Sequence, residues 1–126
     1  MITATIENEH YTCIITDGSK EILADEPLEL GGQEKGFAPL SLLLSALGSC
    51  LAITLRMYID RKAWSVEKIE VNVRMENENG EDVFYEEVTC WGTLTEEQKR
   101  RLEDVALKCP IAKILTKSHN INSSVL

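Results

Sequence analysis

A chain of 126 residues, 44% apolar and 27% charged with 7 Gly and 3 Pro, has the make-up of one folded domain. That composition excludes collagen-like, low-complexity and disordered classes. Its 13 Lys and Arg against 21 Asp and Glu leave a net charge of −8, which argues against nucleic acid or an anionic membrane as partner, since both attract basic faces.

In chain order, Ile2, Ala4 and Ile6 share one side of a first predicted strand, and Tyr11, Cys13 and Ile15 one side of a second. Asn8-Glu9-His10 forms the turn between them. Asp17-Gly18-Ser19 forms the next turn, before a short strand at Glu21–Ala24. Asp25 to Phe37, with Pro27, Gly31-Gly32 and Gly36, is too long for a bare connector and marks a functional loop. Its acidic residues, Asp25, Glu26, Glu29 and Glu34, are expected to decorate an exposed surface.

A helix is predicted from about Ala38 to Lys62, with Pro39 in its first turn. Its first half is apolar nearly all round, the mark of a helix buried on most sides. Its uncharged run, Leu40 to Leu55, is shorter than the roughly 20 residues a bilayer requires. A domain this small has trouble covering such a helix alone, which points to a dimer.

Val66 to Glu78 alternates as a strand, Asn77-Glu78-Asn79-Gly80 turns the chain, and a return strand runs from about Glu81 to Leu94. Thr95-Glu96-Glu97-Gln98 has capping-box spacing and opens a second helix with Leu102, Val105, Ala106 and Cys109 on one face. Pro110 ends it and opens a short helix to Lys117. A last strand is expected at Asn120–Val125. The order βββ-α-ββ-αα-β describes an α+β fold, read as one domain over residues 1–126.

The four cysteines, Cys13, Cys50, Cys90 and Cys109, contain no CxxC pair, and neither His10 nor His119 joins a cysteine cluster. A structural zinc site is therefore not expected. The N-terminus lacks the basic and apolar regions of a secretion signal, so a cytoplasmic protein with reduced thiols is expected. Cys13 and Cys90 fall on strands and read as packing residues. Cys50 sits in the most apolar helix behind Gly48-Ser49, and Cys109 on a buried helical face before Pro110. Free cysteines often simply fill a core, and spacing does not decide whether these two meet.

The runs Ala24-Asp25-Glu26-Pro27, Gly31-Gly32, Gly36-Phe37-Ala38-Pro39 and Leu42-Leu43-Leu44-Ser45-Ala46-Leu47-Gly48-Ser49-Cys50 resemble the OsmC/Ohr family of osmotically inducible and organic hydroperoxide resistance proteins. The likeness continues through Thr54-Leu55-Arg56-Met57-Tyr58 and Asp60-Arg61-Lys62, and recurs at Cys109-Pro110-Ile111-Ala112-Lys113. It implies an OsmC-like fold with a long buried central helix in an intertwined homodimer. It also implies a thiol peroxidase without a cofactor. Cys50 attacks an organic hydroperoxide and becomes a sulfenic acid. Cys109 resolves it to a disulfide, which a small or lipoyl-type dithiol reduces by exchange.

The family pattern also implies an activating Arg from the N-terminal half and a partner Glu at the start of the central helix. Here no Arg precedes Arg56, Lys20 and Lys35 are the upstream cations, and Leu40 and Ser41 stand at the helix start. Arg56 lies six residues after Cys50, on a different helical face. The alternative is a catalytically degenerate OsmC-like dimer that binds a small apolar ligand or senses redox state.

Overall fold

Short alternating segments at the N-terminus give three antiparallel strands, β1 (Thr3–Ile6), β2 (Cys13–Thr16) and β3 (Glu21–Ala24), paired in the order β1-β2-β3. The computed structural model describes residues 1–8 and 10–126; Glu9 of the expected first turn lies outside the described residues. The second turn is fixed by Asp17, whose Oδ1 accepts the backbone N–H groups of Ser19 and Lys20, both at 2.8 Å. The chain forms two compact units, Met1–Ser45 and Ala46–Leu126.

In the first unit, the loop after β3 holds a single 3-10 turn, Leu28–Leu30, which the sequence pattern did not reveal. Gly31 ends that turn in the left-handed region at φ 88°. At Gly32 a Cβ would lie 1.9 Å from the Glu26 carbonyl oxygen, so only glycine fits there. Asp25 organises the loop and corrects the expectation of an exposed acidic residue, because it is only 2% exposed. Its carboxylate accepts the Thr12 hydroxyl at 2.8 Å and the backbone N–H groups of Glu26, Gln33 and Lys35. Burial pushes this carboxyl up, but those four donors outweigh burial and hold it below its ordinary value.

The helix α1 (Pro39–Arg61) starts in the first unit and continues into the second. There it is followed by the hairpin β4 (Val66–Glu78) and β5 (Glu81–Gly92), then α2 (Glu96–Ala106) and α3 (Pro110–Leu115). The hairpin register runs from Glu78↔Glu81 to Val66↔Gly92, with a bulge between Val66 and Lys68. The predicted capping box forms, with Thr95 Oγ1 accepting from Gln98 N–H and Gln98 Oε1 from Thr95 N–H.

The core of the second unit is built on Leu47, Leu51, Leu55 and Ile59 of α1, every fourth residue and therefore one helical stripe. Val66, Leu102, Val105 and Cys109 complete it. The fully buried central helix of the sequence reading is not reached within one chain. Leu40, Leu43, Ile53 and Met57 remain 47%, 39%, 56% and 62% exposed. By length and composition alone α1 is apolar enough to cross a membrane, and 22% of its most apolar window is buried. The element order matches the expected α+β arrangement through α3, but no strand forms at Asn120–Val125. A strand needs a neighbouring ladder for its backbone groups, and this segment has none among the described residues.

Candidate redox site

The sequence places Cys50 midway along α1, two residues after a glycine, and that glycine decides how the helix meets the sheet. A Cβ on Gly48 would lie 3.0 Å from the Val73 side chain of β4. The missing side chain lets the helix press against the hairpin just before Cys50. Cys50 is half-buried and packs against the core of the second unit.

Cys109 reaches the same core from the other side. α2 ends in tight turns, with Lys108 N–H donating to the Val105 carbonyl and Cys109 N–H to the Ala106 carbonyl. Pro110, fixed in φ and lacking an N–H, then starts α3, and Cys109 is left as its N-cap. The Cys109 side chain is 0% exposed.

The structure makes these two thiols neighbours in one core, where Cys109 is a member and Cys50 packs against it. Burial pushes the Cys109 thiol up, and the contact with Cys50 pushes in the same direction. The backbone N–H groups of Ala112 and Ile111, in the first turn of α3, oppose this by donating to the Cys109 sulfur. All four cysteines are free thiols.

The other candidates fall elsewhere. Arg56 Nη1 donates to the Val66 carbonyl at 2.9 Å and to Asp60 Oδ1 at 3.1 Å, so its guanidinium is committed at the end of α1. Its charge acts on Cys90, where it partly opposes a burial that raises the thiol. Cys90 lines a groove of about 710 Å³ whose apolar walls include Leu51, Leu55, Leu94, Leu102 and Ala106, with Lys99 and Glu103 also along it. On sequence Cys90 reads as a packing residue; that it lines a groove follows from where α1 and α2 approach β5, which no local pattern encodes. Cys13 is half-buried on β2, in the first unit. Trp64 packs edge-on against Tyr58 at 5.5 Å, while Trp91 is 41% exposed beneath the Lys68 ammonium.

Residues 32–124, most of the chain and both cysteine segments, match the model of the OsmC-like protein family. The chain belongs to the OsmC-like family. Solved structures agree at the level of fold. This OsmC-like chain is similar to an OsmC-like protein from Mycoplasma pneumoniae, with 22% identity over 92% of this chain and 86% of that one and a TM-score of 0.76. It is similar to an osmotic stress induced and detoxification response protein from Psychrobacter arcticus, with 19% identity over 90% and 85% and a TM-score of 0.75. An organic hydroperoxide resistance protein from Elizabethkingia anophelis shares 22% identity over 90% and 84%, with a TM-score of 0.61. Among curated protein sequences, none matches the chain.

Proposed function

We propose that this OsmC-like chain is a cysteine-dependent thiol peroxidase that reduces organic hydroperoxides. It acts in the cytoplasm as a homodimer of single OsmC-like domains. The observation that carries the reading is that Cys50 and Cys109, from two different helices, share one apolar core. The Cys50 thiolate attacks the distal peroxide oxygen, giving a sulfenic acid and an alcohol. Cys109 condenses with the sulfenic acid, releasing water and forming a disulfide, and a small or lipoyl-type dithiol restores both thiols by exchange. Apolar surroundings favour an organic peroxide over hydrogen peroxide. The exposed apolar residues of α1 support a second copy as the cover for that helix.

The test is consumption of cumene hydroperoxide with dihydrolipoamide as reductant. Wild type turns over and Cys50→Ser does not. Equal background rates for the two overturn the reading.

A second reading, a ligand-binding dimer without turnover, is favoured by the groove along β5 and α2 and by the lack of any Arg before Arg56. It predicts that peroxide disappears no faster with wild type than with Cys50→Ser, while an apolar fluorophore such as a naphthalene sulfonate binds both alike.

A further inference from the structure

The end of α1 carries Tyr58, Arg61 and Lys62 at i, i+3 and i+4, so the three share one helical face. Ala63 adopts the left-handed region at φ 53° just after the helix, and Trp64 folds back to meet the Tyr58 ring edge-on at 5.5 Å. On α2, Glu97, Arg100, Arg101 and Asp104 fall at i, i+3, i+4 and i+7 and again share one face. Arg101 Nε–H joins the two faces by donating to the Tyr58 hydroxyl at 2.9 Å. Here the two helices line a pocket of about 440 Å³, within the size range of small-molecule sites. It lies in the second unit, and Tyr58 stands about two helical turns beyond Cys50.

Positive charge is concentrated at this pocket in a chain whose net charge is −8. The Arg61 guanidinium, the Lys62 ammonium and the Arg101 guanidinium lie 6.0, 5.7 and 5.6 Å from the Tyr58 ring centroid. Arg100 lines the same pocket. An aromatic ring attracts cations through its quadrupole but does not neutralise them. Among the described residues Arg61, Lys62 and Arg100 form no ion pair, and Arg101 meets Asp104 only at 4.0 Å. The dipole of α1 accounts for Arg61 and Lys62 at its C-terminus, but Arg100 and Arg101 lie midway along α2, where it offers no reason for them. The Tyr58 hydroxyl accepts from Arg101 and keeps its own proton to donate.

We propose that this pocket, separate from the two thiols, binds a small phosphomonoester that carries a flat aromatic body. Lys62, Arg100 and Arg101 supply the charge that a phosphate dianion requires, and the planar guanidinium fork matches phosphate oxygens. The Tyr58 O–H adds a neutral donor. Trp64 provides the aromatic wall against which a flat ring packs. Glu97 and Asp104 also line the pocket and repel further negative charge. Together with the net charge of −8, they fit the site to one phosphate group rather than to a nucleic-acid backbone or an anionic membrane. This binding goes beyond the peroxidase reading and involves neither Cys50 nor Cys109.

The experiment is isothermal titration calorimetry of the full chain at low ionic strength, where surface charges are least screened. The probes are adenosine monophosphate, adenosine and inorganic phosphate. Adenosine monophosphate is expected to bind once per chain. Adenosine, which lacks the dianion, is expected to give no measurable binding, and inorganic phosphate to compete with lower affinity. Lys62→Gln combined with Arg100→Gln removes two exposed charges without disturbing the core, and is expected to weaken adenosine monophosphate at least roughly tenfold. In the NMR spectrum the indole N–H of Trp64 is expected to shift on binding while that of Trp91 stays in place. The proposal is overturned if adenosine monophosphate does not bind, or if it binds the double variant as tightly as wild type. Adenosine or inorganic phosphate binding as tightly as the nucleotide overturns it too, as does a response at Trp91 without one at Trp64. No peroxide is present, so binding with these properties stands even where peroxide consumption fails, and its absence leaves the peroxidase reading untouched.

Discussion

Val73 of β4 closes over Gly48 of α1, with the position a Cβ would occupy only 3.0 Å from the valine methyl. That contact sets the spacing between helix and hairpin one half-turn before Cys50. Packing this tight has no slack for an added side chain. Gly48→Val is expected to destabilise the protein by about 1–3 kcal/mol through overpacking. Val73→Ala in the same chain should recover part of the loss. Urea unfolding of the two single variants and the double variant measures the coupling, and simple additivity counts against a direct contact.

Leu51 and Leu55 lie at the centre of the core, 0% and 1% exposed. Truncating either to Ala is expected to cost about 2–5 kcal/mol, the sum of lost transfer energy and a residual cavity. Thr95→Ala, which removes one half of the capping box, is expected to cost about 1 kcal/mol. Denaturant midpoints rank the three, with the cap variant the mildest.

Ile53 lies on the same helix two residues after Leu51 yet is 56% exposed in the single chain. In the proposed homodimer that surface meets a second copy. Ile53→Asp is expected to raise the dimer dissociation constant at least roughly tenfold. Sedimentation equilibrium reads this directly, and a wild type that sediments as a monomer at every concentration removes the dimer.

Asp25 makes stability sensitive to acid in a definite direction. Its carboxyl titrates below the ordinary value when folded, so its contribution is present above the unfolded value and is lost as pH falls through the folded one. The amides of Glu26, Gln33 and Lys35 are expected to be well protected at neutral pH, relative to their intrinsic exchange rates, and to lose that protection as pH falls below the ordinary carboxylate range. Asp25→Asn keeps one acceptor oxygen and should lower that protection already at neutral pH. Protection that is unchanged in this variant would show that the carboxylate does not hold the loop.

Cys109 gives the opposite sign at the alkaline end. Its thiol titrates above the ordinary value when folded, so its contribution is present below the unfolded value and is lost as pH rises through the folded one. Stability is expected to fall above about pH 8.5. The fall should be shallower in Cys109→Ser, whose hydroxyl does not ionise there. Thermal unfolding between pH 7 and 10 makes the comparison.

Much of the local structure was legible in the residues. Glu21–Ala24 and Val66–Glu78 form strands over the predicted ranges, and Thr95 and Gln98 close their box, because alternation and capping act between near neighbours. The Cys109-Pro110 junction was legible for the same reason, since proline dictates its own backbone. Asp25 was misread as a surface acid. Its burial depends on Thr12 and Lys35, which approach it only once the strand and loop have folded.

The sequence by itself determined the family, the strand and helix periods, and the two cysteines worth testing. Tertiary structure alone decided that Cys50 and Cys109 share one core, that Arg56 serves Val66 and Asp60, and that one stripe of α1 is covered. It also decided that Asn120–Val125, which is expected as a strand, forms none among the described residues. Periodicity records which residues share a face. Which faces then meet depends on packing between segments far apart in the chain, and a strand exists only where another strand completes its hydrogen bonds.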